Sequence, residues 1–263
     1  MSNPSEKSSP AAFQSAIEAL PDELKASYLA ALERCPILVQ TESAPQLFLA
    51  ASHFNVPVAA ARLSQWWKIR SNLFDQNTYR PMIASSSAGA LSKDDLEVLE
   101  SGFFVQLPVD NHGRIVLFYN REQLSNDFDD LEDLVPNMNR CAFYMMTAAA
   151  QQQPSAPSIL LVNFCSSRYT PSPVDHKFLQ GLSGMLGAGP VAFNGMELLV
   201  KPPRSNRDDY LTNILPAATT TVKNCFGPSL ISLTVGNTNI QMMEALQIKG
   251  LRVEGIPTVV GGE

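Results

Sequence analysis

The feature that most limits the fold is a change of apolar period near residue 100. Across residues 11–74 the apolar side chains recur at intervals of three and four, the spacing of one helix face. Beyond residue 102 they gather instead into short runs: FFVQLPV (103–109), RIVLFY (114–119), SILLVNF (158–164), MELLVK (196–201) and LISLTVG (230–236). Runs of this length, rich in Val, Ile and Phe, suit strands covered on both faces. Helical patterns separate most of them. The chain is therefore expected to be of the α/β class: a mixed, mainly parallel sheet of five to six strands flanked by helices, preceded by an all-α N-terminal segment. The expected divisions are a Ser/Pro-rich disordered tail at 1–10, a helical domain at 11–90 and an α/β domain at 91–263.

Local signals refine this. PDELKASYLAALERC begins with Pro21 and places acids in its first turn, with an apolar face through Leu24, Tyr28, Leu32 and Cys35. APQLFLAASHF reads as a further helix. Asn55 is the expected N-cap of the next one, with Pro57 in its first turn and a stripe of Leu63, Trp66, Trp67, Leu73 and Phe74. DNHG between the first two apolar runs reads as a hairpin turn. A helix is expected over 129–151, interrupted or begun afresh at Pro136, and another over 174–186.

At 263 residues with 45% hydrophobic and 17% charged side chains, a sizeable apolar core is available. A net charge of −6 disfavours nucleic acid, whose phosphates demand a basic face. No run approaches the roughly 20 apolar residues that span a bilayer, and MSNPSEKSSP lacks the apolar centre of a secretory signal. The four cysteines are scattered without a CxxC pair, as free thiols in a reducing cytoplasm would be.

Catalytic motifs are missing. His53, His112 and His176 share no ligand spacing; His53 is expected in helix packing and His112 in an exposed turn. There is no GxSxG elbow, and GLSGMLGAG (181–189) neither follows a strand nor opens a helix, so the dinucleotide fingerprint fails. Cys165 and Arg168 stand too close for a phosphatase loop. The acids Asp127, Asp129, Asp130, Glu132 and Asp133 lack the Gly and spaced Glu of a calcium loop. No enzyme activity, cofactor or metal is expected.

Four pieces together resemble the CRAL-TRIO lipid-binding family. FLAASHFNVPVAAARL with WWKIR is similar to its helical lead-in. LPVDNHGRIVLFYN (107–120) is similar to its hairpin, SILLVNF to the strand after its long helix, and LRVEGIPTVVGGE to its closing segment. The resemblance runs from about residue 28 to 263. It departs from the family in two places: Ala50, Ala51 and Ser52 stand where Arg and Lys are usual, and DDYLTNILPAATTTVKNCF (208–226) holds Pro and a Thr triplet where the family has a bulky apolar gate.

The resemblance implies a cavity between one sheet face and the helices after it, holding a hydrophobic or phospholipid-like ligand. Phe118, Leu161, Met185, Leu199, Ile214, Leu215, Phe226 and Leu233 are its candidate walls, although core and cavity wall use the same residue types. The segment 208–226 is the candidate gate, through Tyr210, Leu211 and Pro216, or else a plain surface crossover. Lys201, Arg204 and Arg207 form a candidate headgroup or membrane contact, or else a solvated loop. Lipid binding with transient peripheral membrane contact is the leading expectation, and a protein-interaction module on the same fold is the alternative.

Overall fold

The computed structural model describes residues 10–124, 133–152, 158–165 and 173–260. They divide into two compact units. The first holds Met1–Leu96, Asn139–Pro157 and Gly184–Ala192; the second holds Glu97–Met138, Ser158–Ser183 and Phe193–Glu263. The division falls within α7 (Val135–Gln152) and α8 (Pro173–Ala188), and also within the short helix and the strand that cover residues 93–100 and 192–200.

The first unit opens with α1 (Pro10–Glu18), α2 (Asp22–Arg34), α3 (Pro36–Glu42), α4 (Pro45–Ala51) and α5 (Val56–Phe74). A proline starts α3 and another starts α4, so what reads as two helices over 21–54 is three, broken where Pro36 and Pro45 forbid continuation. Asn55 caps α5, its side chain accepting from the Val58 amide at 3.3 Å. Leu63, Trp66, Trp67 and Phe74 are buried, and Leu73 is half-buried. His53 is not in helix packing: it is exposed, in the turn before α5, where His53 and Phe54 take left-handed φ angles of 50° and 59° to reverse the chain.

The core of this unit is polar as well as apolar. Arg70, 1% exposed, donates to Glu42 Oε2 at 2.6 Å and to the carbonyls of Thr78 and Arg80, while its guanidinium lies 4.8 Å from the Trp67 ring centre. Glu42 Oε1 accepts from the Met82 amide, and Trp67 Nε1 donates to Ser43. Buried charges persist only when matched in this way. The Trp66 ring stacks on Phe143 of α7 at 3.8 Å. Arg62 donates to the carbonyls of Leu186, Gly189 and Val191, closing the end of α8. A short helix, α6 (Lys93–Glu100), is capped reciprocally: Asp95 N donates to Ser92 Oγ, and Ser92 N donates to Asp95 Oδ2.

The second unit contains a five-stranded sheet in the order β1 (Phe104–Leu107), β2 (Ile115–Asn120), β3 (Ser158–Cys165), β4 (Ala192–Val200), β5 (Ile231–Val235). β1 and β2 are the antiparallel pair and the rest are parallel. The fold is thus a mixed, mainly parallel α/β sheet with helices around it and a helical N-terminal segment. The hairpin turns as its residues suggest. Asp110 Oδ1 accepts from the His112 and Arg114 amides, Gly113 takes φ 76°, and His112 is exposed. α7 starts at Val135, with Pro136 in its first turn; the acids at 127, 129, 130 and 132 lie outside the described residues.

Strand parity separates two faces. On one, Val116, Phe118, Leu160, Val162, Phe164 and Leu199 are closed over by Met242 and Leu246 of α11 (Asn239–Ile248) and by Leu251 and Ile256. Glu197, buried on the same side, accepts from Thr234 and pairs with Lys249 at 3.2 Å. On the other, Tyr119 packs at 5.0 Å against Phe178 of α8, within an aromatic group that includes Phe103 and Phe104. The hairpin turn fastens the end of α11: Asn111 N donates to Gly250 O, and Arg114 donates to Lys249 O. Gly250 has φ 101°, and a Cβ there would stand 2.6 Å from the His112 ring.

Candidate functional site

The segment between β4 and β5 forms one side of the site. A single helical turn, α9 (Arg207–Asp209), passes into a π-helical stretch at Tyr210–Ile214 and then into α10 (Leu215–Phe226). The π stretch follows from Pro216, which has no amide hydrogen to donate to the turn before it. Gly227, at φ 84°, ends α10. α10 buries Leu215, Ala218, Val222 and Phe226, half-buries Thr219 and Thr221, and exposes Thr220 and Lys223. Ser183 of α8 donates to the Cys225 carbonyl, so α10 lies beside α8 on the sheet face opposite α11.

On that face the register sets Met196, Leu198 and Val200 of β4 beside Ile231, Leu233 and Val235 of β5. Met196, Leu198 and Val200 are almost fully buried, but Leu233 and Val235 remain 44% and 39% exposed. Leu230 beside them is 39% exposed. α10 meets the last strand yet leaves these side chains partly open. What remains is an apolar strip along the sheet edge, next to a helical segment that is π-wound over Tyr210–Ile214.

At the carboxyl ends of β2 and β3 the same face turns polar. Asn163 stands beside Tyr119 in the register, with Cys165 two residues on. Arg121 pairs with Asp175 at 2.7 Å; the carboxylate is fully buried, and the Tyr119 hydroxyl lies 3.5 Å from its other oxygen. Burial pushes the Cys165 thiol up; Asp175 and Glu122 push it the same way and Arg121 opposes them. The Tyr210 phenol is raised by burial, then by Cys165 and Glu122. Asn163 is buried, its Oδ1 lies 3.9 Å from the Cys165 sulfur, and its Nδ2 has no hydrogen-bond partner among the described residues.

No protein-family profile and no curated protein sequence matches the chain.

The candidate residues scatter more than the sequence suggests. Phe118 and Leu199 lie on the face closed by α11, whereas Leu161 and Leu233 lie on the α10 face, so these four cannot line one hollow. Ile214, Leu215 and Phe226 share the α9–α10 segment with Tyr210, Leu211 and Pro216. Of these, Tyr210, Leu215 and Phe226 are buried, Leu211 and Ile214 half-buried, and Pro216 exposed. Met185 is buried in α8 within the first unit. Lys201 is half-buried and donates to Asn239 Oδ1 at 2.6 Å, while Arg204 and Arg207 are exposed and followed by Asp208 and Asp209. Sequence reasoning passed over Asn163, Asp175 and Arg121. Asn163 carried a signal, being an amide in the middle of an apolar strand.

Proposed function

We propose that the chain binds a hydrophobic, lipid-like molecule between the α9–α10 segment and the sheet face bearing Leu198, Leu233 and Val235. The reading rests on one observation: Leu233 and Val235 face the α10 side of a sheet whose central strands, β2 and β3, are buried, and are still about two-fifths exposed. The resemblance to the CRAL-TRIO family supports it, as does the mixed sheet behind a helical segment. The proposal makes 207–226 the element that opens, and the π-wound stretch beside Pro216 supports this, since π turns weaken the regular ladder of a helix.

The physical benefit of such a site is large. An 18-carbon tail leaving a bilayer for water costs about 14 kcal/mol at ~0.8 kcal/mol per methylene. An apolar slot replaces that penalty with movement between two similar surroundings, and contact with a membrane then brings the two together. Arg204 and Arg207 are exposed at the start of that segment, and the proposal gives them the transient contact with anionic headgroups. No helix among the described residues is long and apolar enough to cross a membrane, which is compatible with a peripheral association.

Native mass spectrometry of the protein purified from cells tests this reading. A co-purifying lipid, released by organic extraction, is the expected result. Protein that carries no lipid, takes none from vesicles and instead holds a stable protein partner overturns it in favour of an interaction module.

A further inference from the structure

The polar group at the carboxyl ends of β2 and β3 lies on the same sheet face as the apolar strip. Ligands of α/β sheets sit characteristically beyond the carboxyl ends of the strands. Among the described residues, the ion pair shown at this spot sets a guanidinium against a fully buried carboxylate. Arg121, the guanidinium acting on this spot, is already paired with Asp175 at 2.7 Å, and Glu122 adds a second carboxylate. An anionic headgroup entering here meets the burial that raises Cys165 and Tyr210, and beside it the carboxylate charge that pushes the same way.

One donor is left over. Asn163 is 1% exposed, sits among Leu161, Tyr119 and Cys165 on β2 and β3, and its Nδ2 has no partner among the described residues. A buried amide hydrogen without an acceptor lowers stability, and an acceptor supplied from outside the chain relieves that cost. An uncharged oxygen satisfies it without adding charge.

We infer that the ligand of the proposed site carries an uncharged polar end, a hydroxyl or carbonyl oxygen that accepts from Asn163 Nδ2, and that ionised headgroups are disfavoured. This rests on the lipid-binding reading above and narrows it to long-chain alcohols, ketones and their like. It also gives Asn163 a distinctive signature. Asn163→Leu removes the unmatched donor at similar volume, so it leaves the folded protein as stable as before or more so, while it weakens recognition of the polar end.

The test is equilibrium dialysis of the full chain at pH 8 against two probes with equal tails, hexadecanol and palmitate. The expected result is at least about tenfold tighter binding of hexadecanol, a ratio that Asn163→Leu reduces to below about threefold, with an unchanged or higher melting temperature. Equal or tighter binding of palmitate by the natural chain overturns the inference and leaves lipid binding standing. So does a ratio that Asn163→Leu, folded by circular dichroism, fails to move. If neither probe binds, the lipid-binding reading falls and the inference with it. The comparison of probes on the natural chain needs no variant, so a misfolded Asn163→Leu still leaves the inference exposed to refutation.

Discussion

Truncating Leu233 and Val235 together to Ala separates a binding surface from a structural one. Full burial of a Leu or Val side chain is worth roughly 2 kcal/mol, and about two-fifths of each of these remains open to solvent. A ligand that covers the remainder gains about 0.8 kcal/mol from each side chain, or roughly 1.5 kcal/mol from the pair. Alanine keeps one carbon of each, so the expected loss is about 1–1.4 kcal/mol, close to tenfold in affinity. The assay is displacement of a bound hexadecanol probe, with urea unfolding of the unliganded protein alongside. The ligand-free protein also loses the buried part of both side chains, an effect that must be measured separately. Unchanged affinity in a folded double variant refutes the placement of the ligand on this strip.

Other expectations follow from the buried polar groups. Arg70→Met leaves Glu42 buried without its partner and is expected to cost about 3–5 kcal/mol in urea unfolding, with Glu42→Met in addition costing less than the sum of the two single changes. Alkali is expected to destabilise the fold. Burial raises the Cys141 and Cys165 thiols and the Tyr210 phenol, so the unfolded chain, whose thiols ionise near about pH 8.5, loses protons first as pH climbs. Stability from these groups is fully present below that pH and falls above it; Cys141→Ala with Cys165→Ala flattens the decline between pH 8.5 and 10, and an unaltered slope refutes the assignment. Gly250→Ala is expected to cost about 1–2 kcal/mol through its φ of 101°, and adding His112→Ala recovers little because the exposed ring can swing aside. Full recovery in that double variant, measured by thermal unfolding, shows crowding and not backbone strain to be the cause.

The strands were legible because SILLVNF and RIVLFY combine β-branched residues with buried length, and both match their observed ranges within a residue or so. The same property hid the sides of the sheet. A strand covered on both faces is apolar at every position, so nothing in the residues tells Leu161 from Phe118 by side, and only the register separates them. Two helices, α6 and α11, escaped notice although each carried a cap: Ser92 with Asp95, and Thr238 with Gln241 three residues on. Gly195, with φ 150°, falls inside β4, and the apolar run that signals the strand, MELLVK, begins only after it, so the run leaves out the strand's first four residues. The polar group around Asn163 draws its members from β2, β3 and α8, which are far apart in the chain, and no local pattern encodes that meeting.

The fastening of α11 and residues 251–256 across β2, β3 and β4 bears on how the molecule is made. Val116, Phe118, Leu160, Val162, Phe164 and Leu199 are all synthesised before the residues that cover them, Met242 to Ile256. Until that late segment leaves the ribosome, one side of the half-built sheet is greasy and wet. Nascent chains stalled ahead of residue 239 are therefore natural clients for a chaperone, and those released beyond residue 256 are not.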